Sequence, residues 1–344
     1  MKSKIHIISD SEKLQKHIAI RKSRSNELVL ISNKNSVSRG AIRGKVVSIV
    51  GKYVMVEAKI NGALEDVRCV QTGTIISKSK HSNLIAAGDE VYFDYSNSGL
   101  SKVVKVCDRV SKFSRISPSN RHKEQVIAAN LDTLIIFASV FEPMLNTRLI
   151  DRYLVAARLN KIVPLICINK IDLCSVAELS GLMSVYKKLG IEVHFISSLY
   201  GGAELDKLKA KIINKKSVIS GNSGSGKSTF MNALLGYKAQ IVKEISDRTN
   251  KGIHTTSFSR LYKLSRKGWI IDTPGLREFG IWDLDKEEIG VIFPDFNDYY
   301  LHCKYTSCTH THEPSCAVIN AVEDGTIDAE RYNSYLNIYE SLEK

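Results

Sequence analysis

The stretch Gly221-Asn-Ser-Gly-Ser-Gly-Lys-Ser228 fits the phosphate-loop pattern G-x-x-x-x-G-K-[ST]. In such a loop the glycines let consecutive backbone N–H groups turn inward around a phosphate. Lys227 would reach the β- and γ-phosphate oxygens, and Ser228 would bind Mg²⁺. An apolar strand, Ser217–Ser220, precedes the loop, and the helix predicted over Thr229–Leu235 would point its N-terminus at the charge. The candidate ligands are Gly221, Asn222, Ser223, Gly224, Ser225, Gly226, Lys227, Ser228 and Thr229.

A second phosphate-side motif, Asp272-Thr-Pro-Gly275, follows the apolar strand Trp269–Ile271. A carboxylate at the tip of a buried strand can hold Mg²⁺ through water, and the Gly275 N–H can reach a γ-phosphate. Alone, D-x-x-G is a common turn. About 45 residues beyond a phosphate loop, it supplies the second metal-side group that such a loop needs.

A third motif, Asn169-Lys-Ile-Asp172, follows the predicted buried strand Val163–Ile168 and suits guanine. The Asp172 carboxylate would accept from N1–H and the 2-amino group, and the Lys170 stem would cover the ring. Adenine lacks that pair of donors and would leave the carboxylate desolvated and unpaired, which is costly. An isolated tetrapeptide of this kind also suits a simple turn at a strand end.

Two serines extend the predicted guanine site. Ser197 and Ser198 follow the predicted strand Val193–Ile196, and their backbone N–H groups could make a further contact with guanine.

The order of the motifs differs from that of most GTPases, in which the phosphate loop comes first. Here N-K-x-D and the two serines precede the phosphate loop, and D-T-P-G closes the set. The alternation of strands such as Leu134–Val140 with helical segments predicts a mostly parallel sheet covered on both faces. The same sheet can form when the chain is cut and rejoined elsewhere, so we predict a circularly permuted α/β domain. The segment after D-T-P-G then leads directly into the C-terminal domain.

The region before this domain has a different sequence pattern. Five short β-rich runs lie between turn residues: Ile42–Val50, Tyr53–Ala58, Asp66–Val70, Glu90–Asp94 and Lys102–Val106. They predict a small barrel of the OB type, and an SH3-like barrel fits the periodicity nearly as well. We interpret the polar stretch Ser111–Glu124 as a basic connector.

The C-terminal region contains Cys303, Cys308, His310 and Cys316 in the spacing C-x4-C-x-H-x5-C. Three cysteines and a histidine so close together suit a closed, tetrahedral, structural Zn²⁺ site. The residues alone leave His302 and His312 as alternative ligands. The remaining four cysteines are scattered in or beside predicted strands.

Composition bounds the class of protein. The 344 residues include 49 Lys and Arg against 36 Asp and Glu, a net charge of +13, with 43% hydrophobic residues. That balance is typical of a globular chain, and no apolar run approaches the roughly 20 residues of a membrane helix. Sparse cysteines, odd in number, and the lack of an apolar signal core predict a cytoplasmic protein without a membrane partner.

The positive charge is unevenly distributed. The first 290 residues carry +19, whereas 291–344 carry −6. This distribution favours a polyanionic partner held mainly by the first 290 residues. We interpret residues 1–38 as a mobile basic arm, with a merely solubilising tail as the alternative.

These motifs, in this order, resemble the circularly permuted, ribosome small subunit-dependent GTPases of the RsgA (YjeQ) family. The resemblance covers roughly residues 39–340. Besides the motifs above it includes Ala128–Asp132, Leu149–Leu154, Gly252–Thr256 and Glu313–Val318. It implies an OB-type barrel (39–110), a permuted P-loop GTPase domain (111–285) and a C-terminal zinc-binding α domain (286–344).

The resemblance also implies a function and site residues. It implies a monomeric GTPase of late small-subunit maturation that binds the subunit and its rRNA and is stimulated by it. Thr256 would be the switch threonine on Mg²⁺, His254 would help to position the attacking water, and His310 would be the fourth zinc ligand. Ile253 stands where the family usually has Arg, and an isoleucine side chain has no donor or charge with which to contact a phosphate or RNA. Leu276 stands where many GTPases have a water-orienting Gln, so slow intrinsic hydrolysis is expected.

Two other functions compete with this one. An RNA-binding assembly factor could use GTP and GDP only as a binding switch, and Leu276 keeps that alternative open. A metabolic kinase could use the phosphate loop, but it would leave N-K-x-D, the barrel and the zinc cluster unexplained.

Overall fold

The computed structural model describes residues 40–76, 82–97, 99–236, 259–273 and 279–342. The described strands are β1 (Ile42–Val50), β2 (Tyr53–Ile60), β3 (Ala63–Ile76), β4 (Glu90–Asp94), β5 (Ser101–Val106), β6 (Lys112–Ser117), β7 (Asn120–Ala129), β8 (Thr133–Ser139), β9 (Val163–Asn169), β10 (Glu192–Phe195), β11 (Lys216–Ser220), β12 (Arg260–Lys263) and β13 (Trp269–Asp272). The described helices are α1 (Thr147–Leu159), α2 (Val176–Leu182), α3 (Ser184–Lys188), α4 (Ala203–Ile212), α5 (Lys227–Leu235), α6 (Lys286–Ile292), α7 (Ala317–Glu323) and α8 (Ala329–Ser341).

The first five strands form a closed barrel. Antiparallel pairs join β1 to β2, β2 to β3, β5 to β4 and β4 back to β1, while β3 and β5 run parallel. Alternate residues of β2 are buried, and Val54, Val56, Phe93 and Val103 fill the interior. The five predicted strands and the OB-like barrel are therefore confirmed. The parallel β3–β5 pair and the β1–β4 closure distinguish it from the SH3-like alternative.

The interpretation of Ser111–Glu124 as a connector is wrong, because most of this stretch lies in a β-hairpin. Strands β6 and β7 pair antiparallel, with Phe113 opposite Ala128. Phe113 is fully buried, whereas the first four residues of β7 are exposed. The charged outer end of the hairpin hid the strand pattern, because only its inner end is covered by the rest of the molecule.

The α/β sheet has the strand order β10-β9-β8-β11-β13-β12. Neighbours from β10 to β13 are parallel, and β12 pairs antiparallel with β13. Strand β11, which leads into the phosphate loop, is central. The strands on its β8 side precede it in the chain, and those on its β13 side follow it. This is the permuted sheet that the motif order predicts.

The barrel and the α/β sheet are hydrogen-bonded to each other. Strand β12, which the sequence pattern does not indicate, pairs with β1 through Ser48 and Arg260. The pairing makes one continuous sheet of eleven strands.

Helices cover both faces of the α/β sheet. On one face Leu134 and Ile136 of β8 belong to a core that includes α1 and the C-terminal helices. On the other face Ile135 and Phe137 belong to a core with residues of α4 and α5. The alternation along β8 therefore determines which helices each residue contacts.

The C-terminal unit consists of α6, α7, α8 and two short 3-10 turns. Its buried residues, among them Ile289, Phe293, Phe296 and Tyr335, share one hydrophobic core with α1 and β8. Across the described ranges, the helices are too short or too polar to cross a membrane.

Candidate nucleotide site and metal centre

The phosphate loop lies at the carboxyl edge of the sheet, between the end of β11 and the start of α5. A Cβ on Gly221 would lie 1.8 Å from the Phe137 carbonyl oxygen, so only glycine allows this approach to β8. Gly226 has a φ of +94°, and a Cβ there would lie 2.3 Å from the Asn169 side-chain nitrogen. These contacts explain why the pattern needs glycine at both positions.

Lys227 is buried beneath this loop, with 8% of its surface exposed. Its Nζ donates to the carbonyl oxygens of Gly221 (2.8 Å) and Asn222 (2.6 Å). Burial lowers the pKa of Lys227 to about 8, and the negative charge of Asp272 opposes that shift. The ammonium group therefore lies inside the loop, where an anionic ligand would gain most from it.

The other loop residues divide by exposure. Ser225 is buried, and its Oγ donates to the Asn222 carbonyl oxygen (2.9 Å). Ser223, Ser228 and Thr229 are exposed at the open side of the loop. The two helical residues follow the N-cap Gly226, so their hydroxyls lie where a bound phosphate and its metal ion are expected.

Asn169 joins the phosphate loop to the turn that contains Ser197 and Ser198. It ends β9 and is 3% exposed. Its Nδ2 donates to the Ser225 carbonyl oxygen (2.9 Å), and its Oδ1 accepts from the Ser198 N–H (2.8 Å). The structure thus brings Asn169 together with two segments that lie 29 and 56 residues further along the chain.

The rest of the predicted guanine motif surrounds this asparagine. Lys170 has a left-handed backbone (φ 65°), and Asp172 lies exposed on a 3-10 turn over Ile171–Leu173. Ser197 and Ser198 are each 6% exposed in a tight turn, in which the Ser197 carbonyl oxygen accepts from Gly201 N–H (2.9 Å).

The metal-side motif begins at the end of β13. Asp272 lies opposite Ile219 of β11 in the parallel pair, one strand away from the phosphate loop. Thr273 is buried, and its Oγ1 donates to the Ile219 carbonyl oxygen (2.8 Å). The start of D-T-P-G is therefore held beside the loop. Three predicted site residues, His254, Thr256 and Gly275, lie outside the described ranges, as do Ile253 and Leu276.

Sequence reasoning missed one wall of the site, the segment between β8 and α1. Lys170 Nζ donates to the carbonyl oxygens of Phe141 (3.1 Å) and Glu142 (2.6 Å). Pro143 lines a cleft together with Gly221 and Asn222. The segment has no phosphate-binding pattern, and its contacts are made through backbone carbonyls, so no side-chain signal could have revealed it.

The predicted metal ligands converge in the C-terminal unit. The ligand atoms of Cys303, Cys308, His310 and Cys316 all lie within 4.8 Å of one another. His310 Nδ1 is 3.5 Å from the Cys303 sulfur and 3.4 Å from the Cys316 sulfur. Three sulfurs and one imidazole nitrogen at these separations fit a tetrahedral metal ion.

The fold selects His310 among the three candidate histidines. It is 3% exposed and faces the cysteines, whereas His302 and His312 are exposed. Burial lowers the pKa of His310, opposed by the charge of Glu313, and so favours the neutral imidazole that binds metals.

Neighbouring groups hold this histidine in place. A Cβ on Gly290 of α6 would lie 2.8 Å from its ring, and the Tyr332 hydroxyl of α8 donates to its carbonyl oxygen (2.8 Å). The Glu313 carboxylate accepts from the N–H groups of Thr309 (2.7 Å) and Thr311 (3.1 Å) on either side of His310. The ligand loop is thus ordered by bonds that do not depend on a metal ion.

The sheet order, the phosphate loop with its buried lysine and the asparagine bridge define a class of protein, the P-loop GTPases, in a circularly permuted form. A family model described as RsgA GTPase matches residues 106–282. The chain belongs to the RsgA GTPase family, and it is therefore a GTP-hydrolysing enzyme.

Similar proteins extend the match beyond that domain. "Small ribosomal subunit biogenesis GTPase RsgA" of Chlorobaculum parvum is 38% identical over 311 residues, which cover 88% of this chain and 99% of the relative. The protein of that name in Phocaeicola vulgatus is 34% identical and covers 88% and 98%. The crystal structure of YjeQ from Thermotoga maritima has a TM-score of 0.65 at 30% identity, covering 88% and 98%. That of YloQ, described as a circularly permuted GTPase, has a TM-score of 0.64 at 25% identity, covering 90% and 97%.

Proposed function

We propose that this GTPase binds the small ribosomal subunit and acts late in its maturation, hydrolysing GTP to GDP and phosphate with stimulation by the subunit. The observation that carries the proposal is the Asn169 bridge between the phosphate loop and the Ser197–Ser198 turn. It places the phosphate loop directly beside the proposed guanine-binding segments. The names of the relatives support the ribosomal role, since the aligned region covers nearly the whole length of each relative.

The phosphates are bound from the loop side. The backbone N–H groups of residues 221–229 surround the β-phosphate, and Lys227 balances its charge and that of the γ-phosphate. Ser228 and Thr256 would hold Mg²⁺ directly and Asp272 through water. When bound, this ion would neutralise charge on the β- and γ-phosphate oxygens.

Guanine is selected by the segments beside the phosphate loop. The Asp172 carboxylate accepts two hydrogen bonds from the base, the Lys170 stem covers the ring, and the Ser197–Ser198 turn offers N–H groups. Asn169 acts indirectly, because both ends of its amide already bind the protein.

Hydrolysis needs a partner. His254 is the proposed group that positions the attacking water, and Leu276 has no polar atom with which to do so. Intrinsic turnover is therefore slow and rises on the subunit.

The Cys303, Cys308, His310 and Cys316 cluster holds one structural Zn²⁺. The four protein ligands leave no position open for chemistry, which is typical of structural rather than catalytic zinc.

The domains divide this work. We retain the boundaries 39–110, 111–285 and 286–344, with residues 1–38 as a basic arm. The +19 charge of the first 290 residues supports contact with rRNA there, and the acidic C-terminal unit would depend less on phosphate contacts. The chain would act as a monomer in the cytoplasm.

The decisive experiment measures GTP hydrolysis with and without purified small subunits, at low and raised salt. The proposal predicts stimulation that weakens steeply with salt, because binding to rRNA phosphates releases counterions. Equal turnover of ATP and GTP would contradict the guanine site, and turnover unaffected by subunits would contradict the ribosomal role.

A second candidate function is an assembly factor that uses nucleotide only as a binding switch, which Leu276 favours. A single-turnover assay on small subunits separates the two. Retained GTP supports the switch, whereas GDP and phosphate support the hydrolytic role.

A further inference from the structure

Helix α1 connects the C-terminal unit to the phosphate loop. Along one side it makes polar contacts with that unit. Arg152 donates to the Asn337 carbonyl oxygen (3.3 Å), and Arg158 donates to Asn297 Oδ1 (2.6 Å). Both arginines support the packing, but neither is fully buried.

The central contact on this side is a buried ionic cluster. Arg331 of α8 is 2% exposed and pairs with two carboxylates, Asp151 of α1 and Asp295 of its own unit. Its guanidinium lies 4.9 Å from the centres of the Tyr186 and Phe293 rings. The Tyr186 hydroxyl also donates to Asp151 Oδ1 (2.8 Å). So dense a set of bonds allows little freedom in the position of α1, since a buried charge without its partner is very costly.

The other side of α1 contacts the nucleotide site. Tyr153, two residues after Asp151, is 1% exposed, and its hydroxyl accepts from Ser220 Oγ (3.2 Å). Ser220 is the last residue of β11 and directly precedes Gly221. Tyr153 also lines the cleft that Gly221 and Asn222 form with the β8–α1 segment. The position of α1 therefore determines where the Tyr153 side chain lies against the start of the phosphate loop.

We propose that Asp151 and Arg331 are positioning residues for the nucleotide site. The ion pair fixes α1, and α1 fixes the start of the phosphate loop through Tyr153 and Ser220. The inference rests on the proposed function of that loop. It goes beyond that proposal because it makes the acidic C-terminal unit part of the nucleotide site, although none of its described residues lies in the cleft.

The chain offers a matched pair of variants. Asp151→Asn weakens the pair between α1 and α8 and leaves Arg331 with Asp295. Asp295→Asn weakens the pair inside the C-terminal unit and leaves the contact with α1. Both remove one carboxylate charge from the same cluster. A general loss of stability therefore affects both variants. The proposed series of contacts from Arg331 to the phosphate loop includes Asp151 and does not include Asp295.

The measurement is titration of a fluorescent GDP analogue into the full-length protein, with thermal unfolding of each variant alongside. We expect Asp151→Asn to weaken binding by about fivefold or more, a typical size for coupling between sites. We expect Asp295→Asn to stay within about twofold of the original protein, on the same scale. Equal affinity in Asp151→Asn and the original protein, or equal losses in both variants, would overturn the proposal.

Tyr153→Phe is the second variant, and it tests the proposal even if Asp151→Asn does not fold. It removes the bond to Ser220 and keeps the ring in the core, so we expect a similar loss of GDP affinity. When Asp151→Asn and Tyr153→Phe are combined, the losses of GDP-binding free energy should be less than additive, because both changes interrupt the same series of contacts. Unchanged affinity in Tyr153→Phe, or fully additive losses, contradicts the proposal. Failure of the original protein to bind GDP would instead contradict the proposed function.

Discussion

Single atoms decide the chemistry of the phosphate loop. The same Lys227 that the pattern assigns to phosphate is buried and bonded to two carbonyl oxygens of its own loop. Desolvation therefore lowers its pKa to about 8, against the opposing charge of Asp272. The site is thus sensitive to pH in a range where most lysines are not.

This lowered pKa predicts how GDP binding depends on pH. Only the protonated amine attracts phosphate, and in the free protein it loses its proton as the pH rises through about 8. GDP affinity should therefore be constant below that pH and fall by roughly tenfold between pH 7 and 9. Titrations across this range provide the measurement. Lys227→Met is the control: it should bind weakly with little slope, and an equally steep slope in this variant would assign the titration to another group.

Asp172 provides a second test at this scale. Asp172→Asn keeps the size of the side chain but replaces one acceptor oxygen with a donor. The kcat/KM for GTP should fall by roughly 10- to 100-fold, as expected for losing a hydrogen bond to a charged group. Because the residue is exposed, stability should hardly change. Comparison of GTP with xanthosine triphosphate, whose 2-oxo group suits the new donor, is the measurement. Undiminished preference for GTP would remove Asp172 from the base site.

Whole elements were predicted with uneven success. The barrel strands and the parallel strands follow apolar runs bounded by turn residues, and these were predicted from the sequence. The β6–β7 hairpin and β12 were not, since their residues alternate with charges and are buried only by neighbours distant in the chain. Helix α6 shows a similar dependence, because the His310 ring, which is distant in the chain, lies too close to Gly290 for a Cβ to fit without displacing it.

Substitution of Gly290 tests the contact between α6 and the metal loop. In Gly290→Ala the new methyl group would displace the His310 ring, from which it would lie only 2.8 Å away. We expect Zn²⁺ affinity to fall by roughly tenfold, as when a neighbouring group that orients a metal ligand is lost. Competition with a chelator measures this. Gly181→Ala in α2 is the control, because nothing lies within 4 Å of its new Cβ. A loss of equal size in both variants would rule out the ring contact as the cause.

In the molecule as a whole, the barrel, the α/β unit and the C-terminal unit are joined by a shared hydrophobic core and a shared sheet. The C-terminal unit and the α/β unit have one continuous hydrophobic core, and the barrel continues the α/β sheet through β1 and β12. Units joined in this way are expected to unfold together rather than one at a time.

Metal removal tests this cooperativity. Chelation should lower the unfolding temperature of the α/β and C-terminal units together, by several degrees or more, because the metal stabilises only the folded state. Calorimetry with and without chelator is the measurement, and excess GDP should raise the same transition. Two separate transitions, with only one sensitive to chelator, would show that the shared core does not couple the units.

Sequence motifs alone predict the chemistry of this protein: a phosphate loop, a guanine motif, a Cys₃His cluster and the permuted order that relates them. Such motifs are local, since a few neighbouring residues carry the required atoms and backbone freedom. Three-dimensional packing was needed to show which histidine faces the cysteines, that Asn169 bridges two loops, and that Arg331 lies against Asp151 of α1. These contacts join residues up to 180 positions apart, and burial and geometry between such residues arise only when the chain packs.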